Sequence, residues 1–270
     1  MNSCAFNGRL GNNLFQIAAT LSLSKKSEDD VIFPHTTYAG HRGIKPVDLS
    51  IFKYNFPRGE LPKENKNFEE NQHDMYVPIP PSKNLTLCGF YQSYEYFHDI
   101  RDELIDKYFA PSDEIADRIS KIEVSPNATG VSVRRGDYLM LQQNHCVLGE
   151  QYYNDAFEKY CANSDQLFVF SDDFDWCKQT FGGNVIYVQE NIGVQLFLMT
   201  KMNNLVLSNS TFAWWGAYLN RTKGNVVMPD PWYGPNNDGK GNGLKYPFWN
   251  ILQHKREVQP WTGVTKNMID

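Results

Sequence analysis

Short apolar runs alternate along this chain with segments whose apolar residues recur at helical spacing. In the second half the alternation is regular. Apolar runs at 131–133, 167–170, 185–188, 205–207 and 226–228 read as strands, and 152–161, 173–181, 194–202 and 212–219 read as helices. Strand and helix in turn predict an α/β protein with a parallel, doubly wound sheet. The first half opens the same way. Residues 4–6 read as a strand, 8–13 as a turn, and Leu14, Ile17, Ala18 and Leu21 as one face of a helix. Further strands are expected at 30–33 and 85–88. A helix should run through Ile100, Leu104, Ile105 and Tyr108, and Ser112 should cap another. Residues 34–83 break the pattern. Pro34, Pro46, Pro57, Pro62, Pro78, Pro80 and Pro81 interrupt any regular element, which predicts an irregular surface suited to shaping a binding pocket. Ser125-Pro-Asn-Ala128 reads as a hinge, so the expected domains are 1–125 and 126–270.

Composition narrows the classes. At 270 residues, 41% apolar and 21% charged, the chain can bury one large core or two smaller ones. A net charge of −5 argues against nucleic acid as a partner. Five cysteines, Cys4, Cys88, Cys146, Cys161 and Cys177, are an odd count with no zinc-cluster spacing, which favours reduced thiols. The opening residues hold no apolar signal core, and no run approaches the length of a membrane span, so a cytoplasmic protein is expected.

Three predicted strand ends carry chemistry. The first is Arg134-Arg135-Gly136-Asp137, where two guanidiniums offer planar forks for an anion such as phosphate, or else surface ion pairs. The second is Ser171-Asp172-Asp173, whose carboxylates suit a ribose hydroxyl or a guanine edge. The third is Ser208-Asn209-Ser210-Thr211, which supplies hydroxyls and a helix N-terminus for a diphosphate, or simply a helix cap. In an α/β sheet such ends gather at one edge. The turn at 8–13 repeats the layout of strand, glycine turn and helix. Asp173-x-Asp175 has the spacing of a divalent-metal pair, but acids are also common in the first turn of a helix. Histidines are scattered without a zinc-binding pair. Trp214 and Trp215 read as core.

Five stretches together resemble the inverting α-1,2-fucosyltransferases of glycosyltransferase family 11. They are Gly8-x-Leu-Gly-Asn-x-x-Phe-Gln16, Gly89-Phe-Tyr-Gln-Ser-x-x-Tyr-Phe97, Val133-Arg-Arg-Gly-Asp-Tyr138, Phe170-Ser-Asp-Asp173 and Ser208-Asn-Ser-Thr-Phe-x-Trp-Trp-Gly216, in family order. The resemblance implies a GT-B-like fold of two Rossmann-like domains facing across a cleft, with the donor site in the second. It implies GDP-fucose as donor, the 2-hydroxyl of a terminal galactose on a glycan as acceptor, and no metal or other cofactor. It places Arg134 on the donor diphosphate with Arg135 in support, and Ser210 and Thr211 near the phosphates. Gly11 and Asn12 come to the cleft from the N-terminal side, and Asp172 and Asn209 join the donor-binding set. Asp137 is the nearest carboxylate to the Arg pair in sequence, and is either the general base or a group that orients Arg135. Ser132 stands where the family often has His before the Arg pair. Gln195 and Asn204 stand where it often has Asp and His. A glycan-binding protein without catalysis is the competing class, and a fucosyltransferase of another linkage or with another GDP-sugar is the competing chemistry.

Overall fold

A computed structural model describes residues 1–40, 43–70 and 75–260. The chain forms two compact units. One holds Met1–Ala116 and Asn242–Tyr246, and the other holds Asp117–Gly241 and the chain from Pro247 onward. The division falls earlier than the expected hinge at Ser125 and Pro126. Asn242–Tyr246 joins the first unit, where the Tyr246 ring meets Tyr94 edge-on at 5.1 Å.

In the first unit, β1 (Ser3–Ala5) leads through a glycine turn into α1 (Leu10–Ser27). Lys25 and Lys26 lie in the last turn of α1, where cations suit the helix dipole, and Glu28 ends it in a left-handed conformation. The hairpin β2 (Thr36–Tyr38) and β3 (Ile44–Pro46) follows, then β4 (Lys66–Glu69) and β5 (Leu85–Cys88). Strands β1, β5 and β4 form a parallel sheet in that order. The segment expected as a strand at 30–33 pairs only through single bridges, Asn2 with Val31 and Phe33 with Arg58. The region expected to be irregular therefore holds a hairpin and a sheet strand. Both are short and largely exposed, so neither shows an apolar run. The helix expected through Tyr108 is α2 (Arg101–Glu103), flanked by a 3₁₀ turn and a π turn. Next comes α3 (Asp113–Ser120), with Ser112 at its head.

The second unit contains β6 (Ala128–Val133), α4 (Glu150–Tyr160), β7 (Gln166–Ser171), α5 (Phe174–Phe181) and β8 (Val185–Tyr187). It continues with α6 (Ile192–Met199), β9 (Asn204–Val206), α7 (Thr211–Tyr218), β10 (Val226–Asp230) and β11 (Asn250–Gln253). The six strands are all parallel, in the order β11-β10-β9-β6-β7-β8. Numbered within the unit, this is the 3-2-1-4-5-6 order of a Rossmann sheet. Successive strand residues point to opposite faces. Val131, Val169 and Val206 pack with Tyr153 and Ala156 of α4, while Phe168, Phe170 and Leu205 pack with Leu198 of α6 and Ala213 of α7. Both faces are covered, which is why the strands read as continuous apolar runs. Trp214 and Trp215 are fully buried, as core residues. The strand β11 escaped the sequence reading because Asn250 and Gln253 bracket only two apolar residues.

Candidate active site

The order of the Rossmann sheet reverses between β6 and β9, so helices leave these neighbours on opposite faces and a crevice opens at their carboxyl ends. The Arg pair follows β6, and Ser208 to Thr211 follows β9. The Ser132 and Ser208 hydroxyls bond across the gap at 2.8 Å. A larger imidazole at position 132 would displace that bond, so Ser132 and Ser208 form a matched pair. Asn204 and Gln195, the other two departures from the family pattern, are structural: Asn204 accepts from the Asn225 N–H at 2.9 Å and Gln195 donates to the Glu190 carbonyl at 2.7 Å.

The two arginines have different surroundings. Arg135 is 3% exposed, stacks on Trp176 with Cζ 4.2 Å from the ring centroid, and donates from Nε to Asp173 at 3.0 Å. Its Nη1 is buried without a hydrogen-bond partner. Arg134 is half-buried. Its guanidinium bonds Asp172 through Nη1 and Asp137 through Nη2, and it lies over the Tyr138 ring at 5.1 Å. Burial alone would lower the Arg134 pKa, but the charges on Asp172 and Asp137 outweigh that and raise it, so the cation is secure. Of the two roles expected for Asp137, general base or a group that orients Arg135, the second falls instead on Arg134, because the chain after Gly136 turns Asp137 back toward the first arginine. Asp172 is also engaged. Besides Arg134 it accepts from the Arg135 main-chain N–H at 2.9 Å, so one oxygen is held by each arginine while each keeps a further lone pair. A Cβ on Gly136 would lie 2.5 Å from an Asp172 oxygen, so this close approach requires glycine. Asp173 accepts from the Trp176 N–H at 3.2 Å as the cap of α5, while Asp175 sits in its first turn. Among the described residues no group of three His, Cys, Asp or Glu converges on a common point.

On the β9 side, Ser210 is the N-cap of α7 with extended backbone, yet its hydroxyl makes no capping bond. α7 thus begins at Thr211 with the Ser210 hydroxyl not spent on its first turn, a layout that suits an anion. Asn209 is 2% exposed, and its Nδ2 donates to the carbonyls of Cys146 at 2.8 Å and Trp232 at 2.9 Å. Asn209 ties two loops to the crevice, and its side chain belongs to the frame. Tyr138 of the Arg-Arg motif and two residues that the sequence did not single out, His145 and Trp176, complete this end. Tyr138 donates to the Asn209 carbonyl at 3.3 Å, His145 stacks on Tyr138 at 4.2 Å, and Trp176 backs Arg135.

In the first unit, the turn before α1 is held by amides. Gly8 has φ +86, and a Cβ there would lie 2.1 Å from Asn12 Nδ2. Gly11 is buried in the first turn of α1, and the Asn12 side-chain Oδ1 accepts from Gln92 Nε2 at 3.0 Å. Buried Gln16 bonds the Asn7 N–H, the Ala5 carbonyl and the Gly89 carbonyl, so two of the sequence motifs meet here. Tyr91 holds φ +53 while fully buried, with Glu70 accepting from its N–H at 3.0 Å. Such a conformation costs about 1–3 kcal/mol for a bulky residue and is typical of functional loops.

Residues 1–253 match the model of Glycosyl transferase family 11. An α-1,2-colitosyltransferase of Escherichia coli is 28% identical, over 84% of this chain and 90% of that protein. The O-antigen biosynthesis glycosyltransferase WbnK of Escherichia coli is 26% identical, over 89% and 97%. Galactoside α-(1,2)-fucosyltransferase 2 of Gorilla gorilla gorilla is 23% identical, over 97% and 78%. Two solved structures share the GT-B-like fold. POFUT1 in complex with GDP has a TM-score of 0.53 at 11% identity, covering 84% of this chain and 98% of its own. NodZ α-1,6-fucosyltransferase soaked with GDP-fucose has 0.52 at 15%, covering 85% and 95%. Among the described residues no helix is long and apolar enough to cross a membrane.

Proposed function

Because the chain belongs to glycosyl transferase family 11, we propose that it transfers L-fucose from GDP-fucose, with inversion, to the 2-hydroxyl of a terminal galactose on a glycan. The observation that carries this reading is a half-buried arginine, Arg134, locked by two carboxylates at the switch point of a Rossmann sheet, beside an uncapped helix N-terminus. Cleaving the donor builds negative charge on the leaving GDP. Arg134 and the first N–H groups of α7 are preorganised for that charge, and one such donor is worth about 3–4 kcal/mol of barrier. Ser210 offers its hydroxyl to the same phosphates. Arg135, buried on Trp176, supports Arg134 from behind. No metal is required in this scheme, because the cation is Arg134 while Asp173 is already committed to Arg135 and to α5. Asp137 keeps Arg134 in place, and the acceptor hydroxyl attacks from the opposite face of the sugar. The reading includes a reducing compartment such as the cytoplasm, in keeping with five free thiols.

The 28% identical colitosyltransferase favours a second reading, in which the sugar moved is another GDP-linked deoxyhexose. The test is an acceptor array incubated with GDP-fucose, then with other GDP-deoxysugars, with linkage analysis of the products. An α-1,2-fucosylated galactose is the expected product. Transfer only from a different GDP-sugar supports the second reading. Donor binding without turnover on any acceptor would make this a glycan-binding protein.

A further inference from the structure

The charge balance at the end of β6 is unfavourable for an anion. Two guanidiniums, Arg134 and Arg135, face three carboxylates, Asp137, Asp172 and Asp173. A diphosphate arriving there meets a cluster of net negative charge, so a further positive charge on the same shelf would add to what Arg134 and the α7 N-terminus supply.

His145 is placed to supply it. Its imidazole is half-buried and lies nearly parallel to the Tyr138 ring, 4.2 Å away with an interplanar angle of 9°. Tyr138 in turn has the Arg134 Cζ 5.1 Å from its ring centroid, so the imidazole and the guanidinium border the same ring. On its other side His145 meets Tyr233 at 6.2 Å, and its backbone bridges Tyr233. The segment is pinned from below. The His145 N–H donates to the Leu141 carbonyl at 2.9 Å, and the next carbonyl, that of Cys146, is held by Asn209. Neither ring nitrogen of His145 bonds any described residue. A rigidly held, half-buried imidazole with both nitrogens unused is poised for a ligand.

We propose that His145 is a donor-site residue: on donor binding it takes a proton from solvent, and the imidazolium hydrogen-bonds a phosphate oxygen beside Arg134. This rests on the reading of Arg134 as the diphosphate contact. The groups facing His145 are Arg134 and Asp137 from the β6 loop, Tyr138 beneath it, and Tyr233, whose carbonyl accepts from Arg256 of the Arg256–Asp238 ion pair. In the free protein burial lowers the His145 pKa, Asp137 raises it and Arg134 lowers it, with a net shift below the ordinary value. The free imidazole is therefore neutral at neutral pH. A bound diphosphate raises the pKa, so the complex holds a proton that the free protein lacks. Affinity is then strongest at low pH and falls as pH rises through the pKa of the complex.

The experiment is calorimetric titration of GDP-fucose into the full chain near pH 6.5, in buffers of different ionisation heat. GDP-fucose suits it because its diphosphate is a diester with no group titrating near neutrality. Wild type is expected to take up a substantial fraction of one proton per site. His145→Gln should abolish the uptake and weaken binding about tenfold at pH 6, while matching wild type at pH 8.5. In parallel, imidazole resonances of wild-type protein should show one histidine of the six whose pKa rises on donor addition. That measurement decides the matter even where His145→Gln does not fold. Binding without proton uptake, or uptake that persists in His145→Gln, overturns the role of His145 and leaves the donor reading standing. Absence of GDP-fucose binding overturns both.

Discussion

Two helices in this protein start from a strand, a turn and an N-cap whose side chain makes no capping bond. They are α1, led by Arg9, and α7, led by Ser210. By local layout alone the two starts are alike as candidate anion sites. Their surroundings differ. Apart from Arg9 itself, the α1 turn is built of neutral amides, Asn12, Asn13, Gln16 and Gln92, with bonds among them. The α7 end lies beside a strand whose arginines and carboxylates form an ion-pair lattice. An amide network fixes a backbone shape, whereas an ion-pair lattice fixes a charge. The first is suited to holding a loop in register, and the second to meeting the charge that develops on a leaving phosphate.

Arg134→Ala should break this contrast most severely. Turnover should fall about a thousandfold. The same change leaves Asp137 and Asp172 without their cation, so thermal stability should fall as well, by about 3 kcal/mol. Arg134→Lys separates the two effects. A point charge retains most of the stability but not the fork, so melting near wild type with a large kinetic defect is expected. Near-normal turnover of either variant would move the diphosphate elsewhere.

Gly136→Ala should come next. The added Cβ pushes on Asp172, and a displacement near an ångström at Arg134 costs about a hundredfold in kcat with little loss of fold. A mild effect would mean that Asp172 does not set the position of Arg134.

On the amide side, Asn12→Ala should lower kcat about tenfold with donor affinity nearly unchanged, because the turn loses its tie to Gln92 while no charge is removed. A large loss of GDP affinity would erase the distinction between the two helix ends. The smallest expected effect is that of EDTA, which should leave activity unchanged. Activity lost to EDTA and restored by Mn²⁺ or Mg²⁺ would return Asp173 and Asp175 to consideration as ligands.

The second unit was the more legible in sequence. Most of its strands carry an apolar run because the sheet is covered on both faces, β11 being the exception, and the helices between them are apolar on one face or, in α6 and α7, nearly all round. The first unit hides β4 and the hairpin because short, exposed strands carry no such signature. The candidate site was legible as a set of residue types at strand ends, since motif chemistry is local. The partners of those residues were not. Asp137 was read as a general base or as a group that orients Arg135, and in the structure it bonds Arg134. The stack of Tyr138 and His145 gave no sign in sequence, because His145 had no motif around it.

Periodicity, turn residues and motif order follow from interactions within a few residues, so a linear chain displays them. From these came the parallel α/β class, the Arg pair at a strand end, the Ser210 cap and the resemblance to a transferase family. That Asp172 as well as Asp137 holds Arg134, that Asp173 holds Arg135, and that Ser132 meets Ser208 depend on strand order. That order brings Ser132 to Ser208 and Arg134 to Asp172 across long stretches of chain. Such contacts arise only when the whole sheet has assembled, because no local preference encodes the neighbour that a strand will have.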